Sequence, residues 1–551
     1  MPNCRAADVL ADTLIAHLID RAFCVPGESY LALLDALYDR HALDLVVARH
    51  EGGAGLMAMA DAKCVRRPGV CLVSRGPGAT NASIAIHSAE QDATPLIVII
   101  GQVARSDRGR GAFQEVDYAQ MFGGIAKAVW EVTDGVRLPA AFASAFALAM
   151  SGTPGPVLLV VPEDVFDDQV DAAPAEQQAL RLLDPSEQEV TRVAEALAGA
   201  ARPLLIAGGA LDSQDGRDAL ARAAARHQIP VALSYKRQDL FDNADPLFAG
   251  YLGFHVPRAQ VDLMCQADAI LAVGTRLGDV TTQHYRLPRA PEPQQRLVHV
   301  YPDRAPLGRV FRTDAAIVAD PTLLLDRLAA RATLPGADIR TRWARRLHDY
   351  AARLLAYSPS PRRDGLEFGA VVQAVARHAA PAAVVSVDGG NFGGWVHRLW
   401  PWRPANRLVG TAGGAMGIGV PGGVAAALRY PGRQVIAFVG DGGFMMTGNE
   451  LATAVHRGVD LTVVVSNNRS YGTIRQQQEL AYPGRVIASD LGSMDFAKIA
   501  NGCGGRGFRV RALDEIEPVV CAALGSRGVA LIDVETSLEA ISAYNPPVVA
   551  D

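Results

Sequence analysis

Residues 435–468, VIAFVGDGGFMMTGNELATAVHRGVDLTVVVSNN, carry the side chains best suited to chemistry. Two apolar β runs flank a glycine-rich turn and a helical stretch, a pattern that predicts a βαβ unit with parallel strands. Asp441 and Asn468 then follow the two strands, on the edge where open α/β sheets place their ligands. Their separation, 468 − 441 = 27 residues, is about what one crossover helix requires. One carboxylate and one amide oxygen, completed by phosphate oxygens, suit a small hard cation such as Mg2+. Gly440, Gly442 and Gly443 allow close backbone approach, and the first N–H groups of the helix favour an anion. Asp-Gly and Asn-Asn are each ordinary turn dipeptides; at the two ends of one βαβ unit they point to a metal-held diphosphate.

Such a site needs a large scaffold around it. With 551 residues the chain has room for about three domains. Hydrophobic residues make up 49% and charged ones 20%, the balance of a globular enzyme. A formal charge of −5 with mixed signs gives no reason to expect nucleic acid. There is no signal-peptide pattern and no run of about 20 apolar residues, so no membrane role and a cytoplasmic location are expected. The seven cysteines are scattered without a C-x-x-C pair, which reads as reduced thiols rather than a zinc site.

Up to about Asp168, β runs (DLVVARH, GVCLVSRG, PLIVIIG, PVLLVVPED) alternate with helical patterns, which predicts a parallel sheet covered by helices over residues 1–170. After the polar linker DDQVDAAPAEQQ, a second α/β unit over 185–340 contains RPLLIAGGAL, IPVALSY, ADAILAVGTRLGD and RLVHVYPD. PSPRRDG at 359–365 marks another linker. A third unit over 360–551 repeats the rhythm with AAVVSVDGGN, QVIAFVGDGG, LTVVVSNN and GVALIDVET. The expected fold class is therefore α/β, with three doubly wound parallel-sheet domains that read as a triplication.

GDG followed by NN resembles the signature of thiamine-diphosphate enzymes, and over nearly its whole length the chain is similar to the acetolactate synthase and 2-oxo acid decarboxylase group. The resemblance implies a pyrimidine-binding first domain, a central domain and a diphosphate-binding third domain. It makes Asp441, Asn468 and the carbonyl of Ser470 the metal ligands. Glu51, in the RHEGGAG context, is implied to hydrogen-bond the cofactor's pyrimidine and relay its activating proton; from the residues alone it is a carboxylate favoured in a first helical turn. Met416 would hold the cofactor bent, with the Gly414 carbonyl accepting from its amine. Gly390, Asn391 and Phe392 stand where the family has a Gly-Gln-His diphosphate contact, and only Asn391 retains a donor. Tyr471 and Gly472 would add backbone N–H groups. Phe113 and Gln114 resemble a pocket-lining Phe-Gln pair. The family arrangement pairs Glu51 with the diphosphate site of a neighbouring subunit, so a homodimer is the minimum and a homotetramer is common.

Substrate-facing positions depart from acetolactate synthases. Val280 replaces a carboxylate-binding arginine, Gln477 a tryptophan, and Glu163 a lysine. Glu28 falls where pyruvate decarboxylases carry an aspartate, and could protonate a product or orient an acceptor; helix N-capping is its plain alternative. The Gly208-Gly209 pair could admit a dinucleotide, and relatives bind FAD, ADP or nothing there. The reading is a lyase or carboligase acting on a small carbonyl substrate such as a 2-oxo acid. True acetolactate synthesis, a flavin-dependent oxidase and a non-catalytic cofactor-binding regulator are the alternatives.

Overall fold

The computed structural model describes residues 4–179, 182–254 and 256–544. Its strands are short apolar runs buried on both faces, as in Val384–Val387, Val435–Gly440 and Leu461–Asn467. Parallel strands covered by helices on both sides take this near-continuous apolar pattern instead of alternation. Three six-stranded sheets result, and every pairing within them is parallel. Apolar clusters lie on both faces of each sheet.

Strand order separates the three units. Numbered within each domain, the first and third sheets both run 2-1-3-4-6-5, whereas the central sheet runs 3-2-1-4-5-6. The expected triplication is thus a duplication of one topology around a different, middle one. Similar rhythm in the sequence concealed this, because β and α spacing do not encode lateral strand order. In the first and third sheets the order reverses between strands 1 and 3, the place where such sheets open a crevice at their carboxyl ends.

The first and third domains share one core. The helix Glu51–Val65 lies against Gly419–Arg429, and its small residues allow the approach. A Cβ added to Gly53 would sit 2.3 Å from Glu450 Oε1. Glu450, itself 0% exposed, accepts N–H bonds from Arg49 at 3.0 Å and His50 at 3.2 Å, and a hydroxyl bond from Thr453 at 2.6 Å. Its burial pushes the carboxyl pKa upward. Glu450→Ala would leave both N–H groups unanswered, and is expected to destabilise the chain by about 2 kcal/mol in denaturant titration. Glu450→Gln, which keeps an acceptor, should cost much less.

All three domains meet at Asp92, which accepts from Lys63 Nζ at 2.6 Å, Thr94 Oγ1 at 2.8 Å, Arg237 Nη2 at 3.1 Å and Ala412 N at 2.8 Å. Burial alone would raise this carboxyl; Arg237 and Lys63 outweigh it and hold it well below the usual range. No helix among the described residues is long and apolar enough to cross a membrane.

Candidate active site

A cavity of about 810 Å3 opens at the carboxyl edge of the third sheet. Residues 388–392 follow the strand Val384–Val387, and Asp441 follows Val435–Gly440, so the two strands at the reversal of order deliver the floor of the cavity. The next strand, Leu461–Asn467, delivers Asn468 and Ser470.

The two asparagines of the NN pair diverge. Asn467 turns into the fold and donates to Asp533 Oδ1 at 2.9 Å, while Asn468 lines the cavity. Asn468 Oδ1 and Asp441 Oδ2 converge on the same Ser470 N–H, at 3.1 and 3.3 Å. Asp441 Oδ1 accepts from Gly442 N at 2.8 Å. This carboxylate is 5% exposed and is answered by backbone N–H groups rather than a basic side chain; burial pushes its pKa up to about 6. A buried oxygen cluster short of positive charge fits a hard divalent cation.

Backbone shape fits a diphosphate beside it. Gly390 has φ +141° and Gly414 φ +71°, and a Cβ at Gly414 would point into open space. Met416 lies in a loop pinned at Gly417 through both its N–H and its carbonyl. Gly417 N donates to Asp388 Oδ1 at 2.8 Å, and Gly417 O accepts from Thr447 Oγ1 at 2.6 Å. Asp388 also receives Gly389 N at 2.7 Å, so one buried carboxylate joins the turn at 389–390 to the Met416 loop. The central domain contributes Tyr235, Lys236 and Tyr251 to the wall. Lys236 Nζ donates to Val387 O at 2.9 Å and Asp388 O at 3.0 Å.

Some expected roles change in the structure. Tyr471 N donates to Ser489 O at 2.8 Å and Gly472 N to Ser470 O at 2.7 Å, so neither N–H is directed at a phosphate. The Tyr471 ring instead packs on Gly442, where a Cβ would lie 2.6 Å from it. Asn391 Nδ2 donates to Gln476 Oε1 at 2.5 Å and its N–H to Thr473 Oγ1 at 3.0 Å, which braces the helix Gly472–Ala481. Phe392 is buried edge-on to Phe368, supporting the turn at Gly440 without a polar contact.

Glu28, Glu51, Phe113 and Gln114 lie elsewhere, around the carboxyl edge of the first sheet. Glu28 follows the strand Arg21–Cys24, and Glu51 opens the helix after Asp44–Val47. Asn81 Nδ2 donates to Glu51 Oε2 at 2.9 Å. Gln114 has φ +65°, and its carbonyl accepts from Gly76 N at 3.1 Å. Phe113 is 75% exposed. None of the described residues lining the cavity comes from this domain.

Comparison with known proteins covers all three domains. Residues 4–121 match the N-terminal TPP binding domain of thiamine pyrophosphate enzymes, 190–328 the central domain and 388–534 the C-terminal TPP binding domain. The chain belongs to the thiamine pyrophosphate enzyme family. It is 32% identical over 540 residues to the acetolactate synthase large subunit of Parasynechococcus marenigrum (strain WH8102), covering 96% of this chain and 87% of that one. With the Escherichia coli (strain K12) acetolactate synthase isozyme 1 large subunit it shares 34% over 492 residues, 87% and 84% of the two chains. The mitochondrial acetolactate synthase catalytic subunit of Saccharomyces cerevisiae (strain ATCC 204508 / S288c) is 30% identical over 94% and 78%. This thiamine pyrophosphate enzyme is accordingly a decarboxylase/carboligase of the acetolactate synthase-like group.

At the glycine pair of the central domain of this thiamine pyrophosphate enzyme, the backbone and Arg237 pack closely. Gly208 follows the strand Pro203–Ala207, and a Cβ there would meet Gly274 O at 2.5 Å, at the reversal point of the central sheet. The guanidinium of Arg237 covers Gly209, with Nε 2.6 Å from the corresponding Cβ position, and Asp92 holds it there.

Proposed function

We propose that this enzyme releases the carboxylate of a 2-oxo acid as CO2, and then protonates the product or joins it to a second carbonyl compound. The observation that carries the reading is the convergence of Asp441, Asn468, Ser470 and Met416 on one cavity whose outer wall holds Val280 and Gln477. The first four suit thiamine diphosphate with Mg2+; the last two leave that wall without a cation for the carboxylate of a second 2-oxo acid, so true acetolactate synthesis is not the favoured outcome. When bound, thiamine diphosphate supplies a nucleophilic carbon and an electron sink for the bond that breaks.

The residues divide the remaining work. Asp441, Asn468 and the Ser470 carbonyl would hold the cation, and the Gly390 and Gly440 turns would admit the diphosphate. Met416 would orient the cofactor rings, and Glu51 would hold and release the activating proton. Because the cavity draws nothing described from the first domain, Glu51 of one subunit would serve the cavity of another, as a homodimer or a larger symmetric assembly.

Incubation with thiamine diphosphate, Mg2+ and a panel of 2-oxo acids, with CO2 and both aldehyde and acyloin products quantified, tests this reading. CO2 release with aldehyde or mixed acyloin is expected. Exclusive formation of a 2-hydroxy-3-oxo acid from two 2-oxo acids would establish acetolactate synthase chemistry instead, and no CO2 from any acid would sink both.

A further inference from the structure

We infer that Arg75 recognises the substrate carboxylate. This rests on the reading above, in which the rim of one subunit's first domain faces the diphosphate cavity of another.

The cavity's own walls provide no suitable counter-charge. Its described lining includes no arginine, and Val280 is apolar. Of its basic side chains, Lys236 has its ammonium held between the carbonyls of Val387 and Asp388, His284 is paired with Asp279 Oδ1 at 3.0 Å and His397 is buried. A carboxylate presented to this site must find its cation on the facing rim.

Topology places Arg75 at the equivalent position on that rim. It follows the strand Gly69–Ser74, the third of the first domain, as Asp441 follows the third strand of the last domain. Glu28 lies after strand 1, as Asp388 does. Arg75 therefore sits where the order of the first sheet reverses and a ligand crevice is expected.

Distance to Glu51 follows from helix geometry. Gly78 and Asn81, three and six residues into the helix that Arg75 opens, are i, i+3 neighbours on its surface. Glu51 touches both: Asn81 Nδ2 donates to Oε2, and a Cβ on Gly78 would lie 3.6 Å from Oε1. Glu51 thus meets this helix three to six residues after Arg75, roughly 4.5 to 9 Å of rise along the axis.

The guanidinium is held in place and is not saturated. Nη2 donates to Glu163 Oε2 at 2.6 Å, and the side chain is 13% exposed. Nε is buried without a hydrogen-bond partner, and so is the hydroxyl of Tyr118. Arg75 has φ +46°, a left-handed conformation unfavourable for a residue with a side chain, and Gln114 across the Gly76 hydrogen bond has φ +65°. Two such residues side by side persist only where the surroundings impose them, which is common in binding sites. Glu163 orients the planar fork, and the remaining N–H groups can donate to a carboxylate.

The test uses the full chain with thiamine diphosphate and Mg2+. Arg75→Met is expected to raise KM for 2-oxo acids about 10- to 100-fold, with Kd for thiamine diphosphate unchanged and partial rescue by Arg75→Lys. Arg75→Gly separates recognition from structure: glycine relaxes the left-handed backbone, so Tm should hold or rise while KM rises as for the methionine variant. Calorimetric titration with methyl acetylphosphonate, an anionic mimic of pyruvate, should show binding that Arg75→Met loses, whereas binding of its neutral dimethyl ester should not change. A KM change below threefold in both variants, or undiminished binding of the anion by Arg75→Met, would overturn the inference. Arg75-dependent binding of the mimic without CO2 release from any acid would support it and sink only the proposed reaction.

Discussion

Exchanging Glu51 for glutamine is expected to lower turnover about 100- to 10,000-fold, the range that a positioned proton-transfer group contributes. Cofactor affinity should change little, because the residues proposed to hold the metal and diphosphate lie in another domain. The local geometry favours a clean result. Glu51 is half-buried at the start of a helix, and one oxygen is fixed by Asn81. Glutamine keeps the length of the side chain and a hydrogen-bonding carbonyl for Asn81, and loses only the ability to carry a proton. The direct measurement is the rate at which the C2 proton of the bound cofactor exchanges with deuterium, followed by NMR after acid quench. Slower exchange at unchanged thiamine diphosphate Kd is the expected pattern. Undiminished exchange and turnover would remove Glu51 from the relay.

What could be read in the chain was whatever is encoded locally. The site around Asp441 and Asn468 lies within one βαβ unit, so strand, turn and spacing were visible together. Strands buried on both faces announced themselves as apolar runs, and with them the three parallel sheets. Contacts across long separations were not visible. Lys236 reaches Val387, 151 positions away, and Arg237 closes the glycine pair at 208–209 from the next strand end. The Tyr471 N–H looked available for phosphate because its acceptor, Ser489 O, lies in a later loop with no pattern of its own. Glu51 by itself reads as a first-turn carboxylate, and only the resemblance of its surroundings gave it a chemical role. Lateral strand order, which distinguishes the central sheet from the other two, has no signature in spacing at all.

Replacing Asp441 by asparagine should weaken binding of thiamine diphosphate with Mg2+ by about 100-fold or more, since it removes the charged member of the proposed ligand set, and even partners behind such ligands matter 10- to 100-fold. Without metal the variant should be at least as stable as the parent, because it relieves a carboxylate buried without a cationic side chain. Loss of cofactor with retained Tm therefore separates a ligand from a structural residue. Mixing this variant with Glu51→Gln tests the shared site. After dissociation and random reassociation, half the dimers are mixed, and each mixed dimer contains one site with an intact Glu51 from one chain and an intact Asp441 from the other. Activity should return to about a quarter of the parental value from two nearly inactive proteins, as twofold symmetry requires. If both residues served a site within a single chain, no pairing of these variants could assemble one, and the mixture would stay as inactive as its components.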